Sequence, residues 1–153
     1  MGRIEYRKGD MLKDPPKGVF LLHSCNTKGV WGPYIAQQFK QKWPEAYEQY
    51  RDLCLNTGMS AGDACIVAED ADHPIICLFT SVGHGLNVDP PEEILKATRD
   101  ALNELPLEEL GEIEIHSPKI NSGKFKTPWE ATEAIIEEVL KKNPLVKWVV
   151  WDL

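Results

Sequence analysis

Apolar residues fall along this chain in short blocks divided by proline, glycine and charge. IEYRKGD opens with a short strand that ends at Gly9-Asp10, and KDPPKG is a turn, because proline is excluded from helix interiors. VFLLHS is a continuous apolar run of the kind a buried parallel strand needs. IAQQFKQKW has helical spacing up to Pro44. PEAYEQYRDLCLNTG predicts a second helix, with Pro44 in its first turn and Gly58 at its C-terminal end. AGDACIVAE and PIICLFTS predict two strands around a polar turn at Asp70–His73. VGHGLNVDPP is a loop, and EEILKATRDALNEL an amphipathic helix burying Ile94, Leu95, Leu102 and Leu105. GEIEIHSPKI alternates as a strand up to Pro118, and NSGKFKTP is a second small-residue loop. WEATEAIIEEVLKKN is a helix with Thr127 as its expected cap, and VKWVVWDL is the closing strand.

The resulting order, β-β-α-α-β-β-α-β-α-β, predicts an α/β domain whose mostly parallel sheet carries helices on both faces. Ligands bind such sheets beyond the carboxyl ends of the strands. Ser24–Pro33, Ser81–Asp89 and Ser117–Pro128 all follow strands, so these loops should converge on one site.

Length and charge narrow the possibilities. One domain over residues 1–153 is expected, since 153 residues can bury a single core. No apolar run is long enough to cross a bilayer, and the N-terminus lacks the apolar segment of a secretory signal. A net charge of −7 argues against a nucleic-acid partner. It leaves room for a small anion, because backbone N–H groups and a few lysines can hold phosphate locally. Cys25, Cys54, Cys65 and Cys77 show no C-x-x-C pair and no zinc spacing, so they read as free thiols in a reducing compartment, Cys65 and Cys77 as core residues. No metal and no cofactor is expected.

Five pieces in order carry a family resemblance: KGD at Lys8–Asp10, HSCN at His23–Asn26, GVWG then IA within Gly29–Ala36, CLFTS at Cys77–Ser81, and INSGKF with PW within Ile120–Trp129. Together they resemble a macrodomain, most closely the small yeast-type ADP-ribose-1''-phosphate phosphatases. The resemblance implies a three-layer α/β/α sandwich with a mixed, mostly parallel central sheet. It implies binding of an ADP-ribose derivative and hydrolysis of ADP-ribose-1''-phosphate, a by-product of tRNA splicing, to ADP-ribose and phosphate. A monomeric cytoplasmic or nuclear protein is the matching expectation. Two alternatives stand beside it: a non-catalytic ADP-ribose or other nucleotide reader, and a mono-ADP-ribosyl hydrolase. NSGKFKTP lacks the acid that a lysine–aspartate route to glutamate-linked ADP-ribose would need.

The resemblance also implies site residues. Asp10 would accept a hydrogen bond from the adenine amino group, with Gly9 and Met11 beside the ring; a turn aspartate is the alternative. Asn26 would hold a ribose hydroxyl and orient water, because an amide both donates and accepts; the alternative is an asparagine serving the turn before Gly29. Ser24, Cys25, Gly29, Val30, Trp31, Gly32, Tyr34 and Ile35 would bind the ligand, in a loop whose family glycines let the backbone approach the distal ribose and phosphate. Asn121, Ser122, Gly123, Lys124 and Phe125 would hold diphosphate and ribose, in a loop whose lysines have no acid among them. His84, between two glycines, is a candidate acid or base, because histidine is the residue type suited to proton transfer at neutral pH. His23 is a second candidate, or a core histidine. Trp129 anchors its helix to the core.

One departure stands out. Where the family reads W-G-G-G-I-A or W-G-A-G-I-A, this chain reads Trp31-Gly32-Pro33-Tyr34-Ile35-Ala36. Pro33 has no N–H to donate and Tyr34 adds a side chain, so the pocket is expected to be rearranged or blocked there.

Overall fold

A computed structural model describes residues 3–13, 15–31, 35–69 and 72–152. The sheet contains β1 (Arg3–Lys8), β2 (Phe20–Asn26), β3 (Ala64–Val67), β4 (Ile75–Ser81), β5 (Ile113–Ser117) and β6 (Val146–Asp152). The spatial order is β1-β6-β5-β2-β4-β3, and only the β3–β4 pairing is antiparallel. The helices are α1 (Ile35–Lys42), α2 (Pro44–Asp52), α3 (Pro91–Glu104), α4 (Leu107–Leu110) and α5 (Trp129–Lys142).

The pleat divides the apolar residues into two cores. Successive side chains of a strand point to opposite faces. Leu21, Cys25, Ile75, Cys77 and Phe79 therefore join Phe39, Ala46 and Tyr50 of α1 and α2. Leu22, Ile76, Leu78, Ile115 and Trp148 join Ala101, Leu102, Ile135 and Ile136 of α3 and α5. Every residue of β4 is buried, as expected of a strand covered on both faces. The result is a three-layer α/β/α sandwich with the expected mixed, mostly parallel sheet.

Several local expectations change. The second helix remains α-helical only to Asp52, then widens into a π-helical turn over Leu53–Thr57 that ends at Gly58, φ 85°. The strand in AGDACIVAE shrinks to Ala64–Val67, and a 3-10 turn forms at Gly85–Asn87. Helix α4 is additional; Leu107 supplies a buried apolar contact that makes so short a helix worth forming. Leu105 is buried as expected but lies just past α3. Thr127 does not cap α5. Pro128 occupies the cap position, and the Thr127 hydroxyl donates to Phe125 O at 3.1 Å. Trp129 packs into the core and its indole N–H donates to the Tyr6 hydroxyl at 3.2 Å. The turn residues Asp70 and Ala71 lie outside the described residues. No helix among the described residues is long and apolar enough to cross a membrane.

Leu22 sits at the sheet–helix interface with no exposed surface, while Leu86 is 100% exposed. Urea denaturation should show Leu22→Ala losing about 2–5 kcal/mol. Leu86→Ala should remain within about 0.5 kcal/mol of the parent.

Candidate functional site

Strand β2 stops at Asn26, and that side chain builds the turn that follows. Its Oδ1 accepts from Lys28 N at 2.9 Å, Val30 N at 3.4 Å and the Tyr50 hydroxyl at 3.1 Å, while Nδ2 donates to Val30 O at 2.7 Å. Helix α2 secures the same turn: Tyr50 OH also reaches Asn26 O at 2.7 Å, and Tyr47 OH reaches Gly29 O at 3.1 Å. Gly29 has φ +79°, and a Cβ there would face Arg51 and Cys54 at 3.5 Å. It serves the turn and does not line the cavity described below.

Beneath the turn lies an aromatic stack. Trp31 lies against Tyr50 with ring centroids 5.0 Å apart and meets His23 edge-on at 4.7 Å. His23 stacks on Phe39 at 4.4 Å and is 1% exposed. Burial holds its pKa down to about 3, so the imidazole is neutral at ordinary pH. Its Nε2 lies 3.5 Å from Cys25 Sγ. The Trp31 indole N–H is buried without a partner among the described residues.

The loop after β4 is closed by Asp89. Its Oδ2 accepts from Val82 N at 2.9 Å, and its own N–H donates to Ser81 Oγ at 3.0 Å. Ser81 Oγ in turn donates to Gly83 O at 2.8 Å. A Cβ on Gly83 would stand 2.1 Å from Asn87 O, so this tight loop requires glycine. It presents His84 as an exposed side chain on the cavity rim.

The loop after β5 is fixed by Asn121, a non-glycine residue at φ +67°. Its buried amide is bonded by threonines from three elements, which fill three of its four hydrogen-bonding positions. Thr80 of β4 donates to Oδ1 at 2.8 Å, and Nδ2 donates to Thr98 of α3 at 3.0 Å and Thr132 of α5 at 3.3 Å. The Asn121 carbonyl accepts from Thr127 N at 2.8 Å. Its side chain is thus committed to the protein. The Ser122 N–H donates to Lys119 O at 3.4 Å, so what this loop can offer an anion is the backbone around Gly123 and the cationic side chains. Lys119 pairs with Asp152 at 3.0 Å.

At the far side, Asp10 follows β1. Its Oδ1 accepts from Leu12 N at 3.0 Å, so it does hold a turn, and the exposed carboxylate also borders the cavity. Met11 is buried beside it. Trp151 flanks Gly9, whose added Cβ would meet the indole at 3.4 Å. The indole N–H donates to His116 Nδ1 at 2.9 Å, and His116 Nε2 pairs with Glu114 at 2.7 Å. Burial lowers the His116 pKa, with the Glu114 carboxylate opposing that shift.

These loops enclose one cavity of about 630 Å³. It brings together Gly9, Asp10, Met11, His23, Ser24, Cys25, Asn26, Val30, Trp31, His84 and Asn121 through Phe125. Gly32, Pro33 and Tyr34 lie outside the described residues, as does the side chain of Ile35. Sequence reasoning missed Gln38, Trp151 and Asp152, which also line it, as does Lys119 of the lysine-bearing loop. Trp151 and Asp152 end a parallel strand, so the rule that named the other three loops applied to them as well.

The macro domain family model matches residues 22–136. The chain belongs to the macrodomain family. A Lodderomyces elongisporus protein named ADP-ribose 1''-phosphate phosphatase is 36% identical, covering 89% of this chain and 92% of its own length. A Saccharomyces cerevisiae protein of the same name is 33% identical, covering 90% and 93%. Among solved structures, the macrodomain of Mycobacterium tuberculosis DarG superposes with TM-score 0.81 at 24% identity, over 100% of this chain and 99% of that one. Thermosipho africanus DarTG in complex with ADP-ribose gives TM-score 0.68 at 18% identity, covering 90% of this chain and 38% of that one. These last two likenesses concern the macrodomain fold.

The buried His23 makes stability depend on pH. Unfolding returns its pKa from about 3 to about 6.5, so below that value the unfolded chain binds the extra proton and folding weakens as pH falls. The loss attributable to His23 should be about 2 kcal/mol between about pH 7 and pH 5. Denaturation of wild type and His23→Gln across that range checks this; the variant should show the shallower slope. Asn121→Ala leaves three buried threonines without their amide partner and an alanine at positive φ. Thermal unfolding should register a loss of at least about 1–3 kcal/mol.

Proposed function

We propose that this macrodomain binds ADP-ribose derivatives and hydrolyses ADP-ribose-1''-phosphate. The carrying observation is that the Asn26 turn, the His84 loop and the Lys119–Phe125 loop meet in one cavity of about 630 Å³. Relatives at 33–36% identity bear the phosphatase name over about nine-tenths of the chain. The adenine lies near Asp10 and Met11, and the diphosphate meets the backbone around Gly123 at the approach to α5, whose N-terminus favours anions. Phe125 flanks the ribose.

Water attacks the 1''-phosphorus, and the bond between phosphorus and the sugar oxygen breaks. His84, exposed on the rim, accepts the proton from water and returns one to the leaving oxygen. His23 acts through packing, because a buried imidazole with a pKa near 3 is too weak a base for this task at neutral pH. Asn26 retains one N–H beyond its bond to Val30 O. That donor holds a ribose hydroxyl or the phosphate, a narrower role than orienting water with the whole amide. In this reading the substrate is the by-product of tRNA splicing, and the protein works in the cytoplasm or nucleus.

The near-saturation of the Asn26 amide favours a second reading, a binding module without turnover. Two measurements separate them. Calorimetric titration with ADP-ribose should give one site per chain; no heat at several temperatures would mean that the loop containing Pro33 and Tyr34 closes the distal pocket. Phosphate release from ADP-ribose-1''-phosphate should fall about 10²–10⁴-fold in kcat for His84→Ala. Asn26→Ala should weaken both steps. Full phosphate release in Asn26→Ala, His84→Ala and His23→Ala alike would defeat the mechanism.

A further inference from the structure

A second constellation lies behind the aromatic stack. His23 and Cys25 share one face of β2, and Cys77 is the register partner of His23 on β4. Their nitrogen and sulfur atoms all lie within 4.8 Å of one another. All three residues are buried, at 1%, 2% and 0% exposure. Spacing along the chain conceals this cluster, because its third donor comes from another strand.

We infer that His23, Cys25 and Cys77 form a binding site for a divalent thiophilic cation of the zinc class. Three features support it. A tetrahedral ion with the usual Zn–S and Zn–N bond lengths separates sulfur and nitrogen by about 3.6 Å, and Cys25 Sγ stands 3.5 Å from His23 Nε2. Two thiolates neutralise a dication, so the loaded site adds no net charge to an apolar core, whereas a monovalent soft cation would leave a buried negative charge. His23 is already neutral and thus has a lone pair to offer. His23 and Cys25 also line the large cavity, which gives the ion a route inward.

Binding is a proton exchange. The cation displaces one proton from each of the two thiols, forms two M–S bonds and one M–N bond, and leaves its fourth position to water. Nothing is oxidised. Burial pushes the Cys77 pKa well up, and metal binding must displace that proton, so occupancy should increase with pH.

The test is titration of the reduced full chain with Cd²⁺ alone. One equivalent should produce a thiolate-to-cadmium ultraviolet band, release two protons per ion and raise the melting temperature. Cys25→Ala and Cys77→Ser should each abolish the band, while Cys54→Ser should retain it. Circular dichroism checks that each variant is folded. Should Cys77→Ser prove unfolded, Cys25→Ala and the proton count on wild type decide the matter. Absence of the band at one equivalent, its persistence in folded Cys25→Ala, or release of fewer than two protons would overturn the inference.

Discussion

The buried amide of Asn121 is the constraint on which the site depends. A carboxamide has two acceptor positions and two donors, and burying it without partners is costly. Here Thr80, Thr98 and Thr132 meet it from a strand and two helices. Those contacts locate the loop relative to β4, α3 and α5 together. They also sustain a positive φ at a residue with a side chain. The loop's backbone is therefore presented to the cavity by a polar knot that is itself almost free of solvent.

The opposite side of the cavity is held by different means. There α1 and α2 contribute aromatic rings, and Tyr47 and Tyr50 each extend a hydroxyl to the Asn26–Val30 turn. Rings fill the volume and hydroxyls satisfy the turn carbonyls, so one element serves both packing and loop geometry. The two sides explain how a parallel sheet with short strands supports a well-defined cleft. Each loop is tied back to a helix or strand by at least one side chain whose bonds are internal to the protein.

Much of this was legible in the sequence because the apolar blocks are short and sharply bounded. VFLLHS and PIICLFTS read best as buried strands, and Pro44, Gly58 and Pro91 set helix limits that the structure keeps. The convergence of loops followed from β/α alternation alone. Side-chain commitments did not. Nothing in the order of residues shows that Asn121 spends its amide on three threonines, or that Gly29 turns toward Arg51, since both depend on contacts distant in sequence. Thr127 looked like a cap by residue type, yet its hydroxyl turned back to Phe125. The His23–Cys25–Cys77 cluster depends on strand register, which spacing rules do not encode.

The cavity has an indole in its wall on β6 and another just past β2, while Trp148 lies sealed in the core. Strand β5 stands between those two strands, so the indoles belong to separate regions of the cleft. Trp31 is enclosed by other rings, whereas Trp151 is bonded to an imidazole that can quench it. Of the chain's five tryptophans, these two are optical reporters in the cavity wall with different surroundings. A ligand filling only one region would alter the emission of one of these two indoles against the background of the other four tryptophans, so the size of the change distinguishes partial from full occupancy.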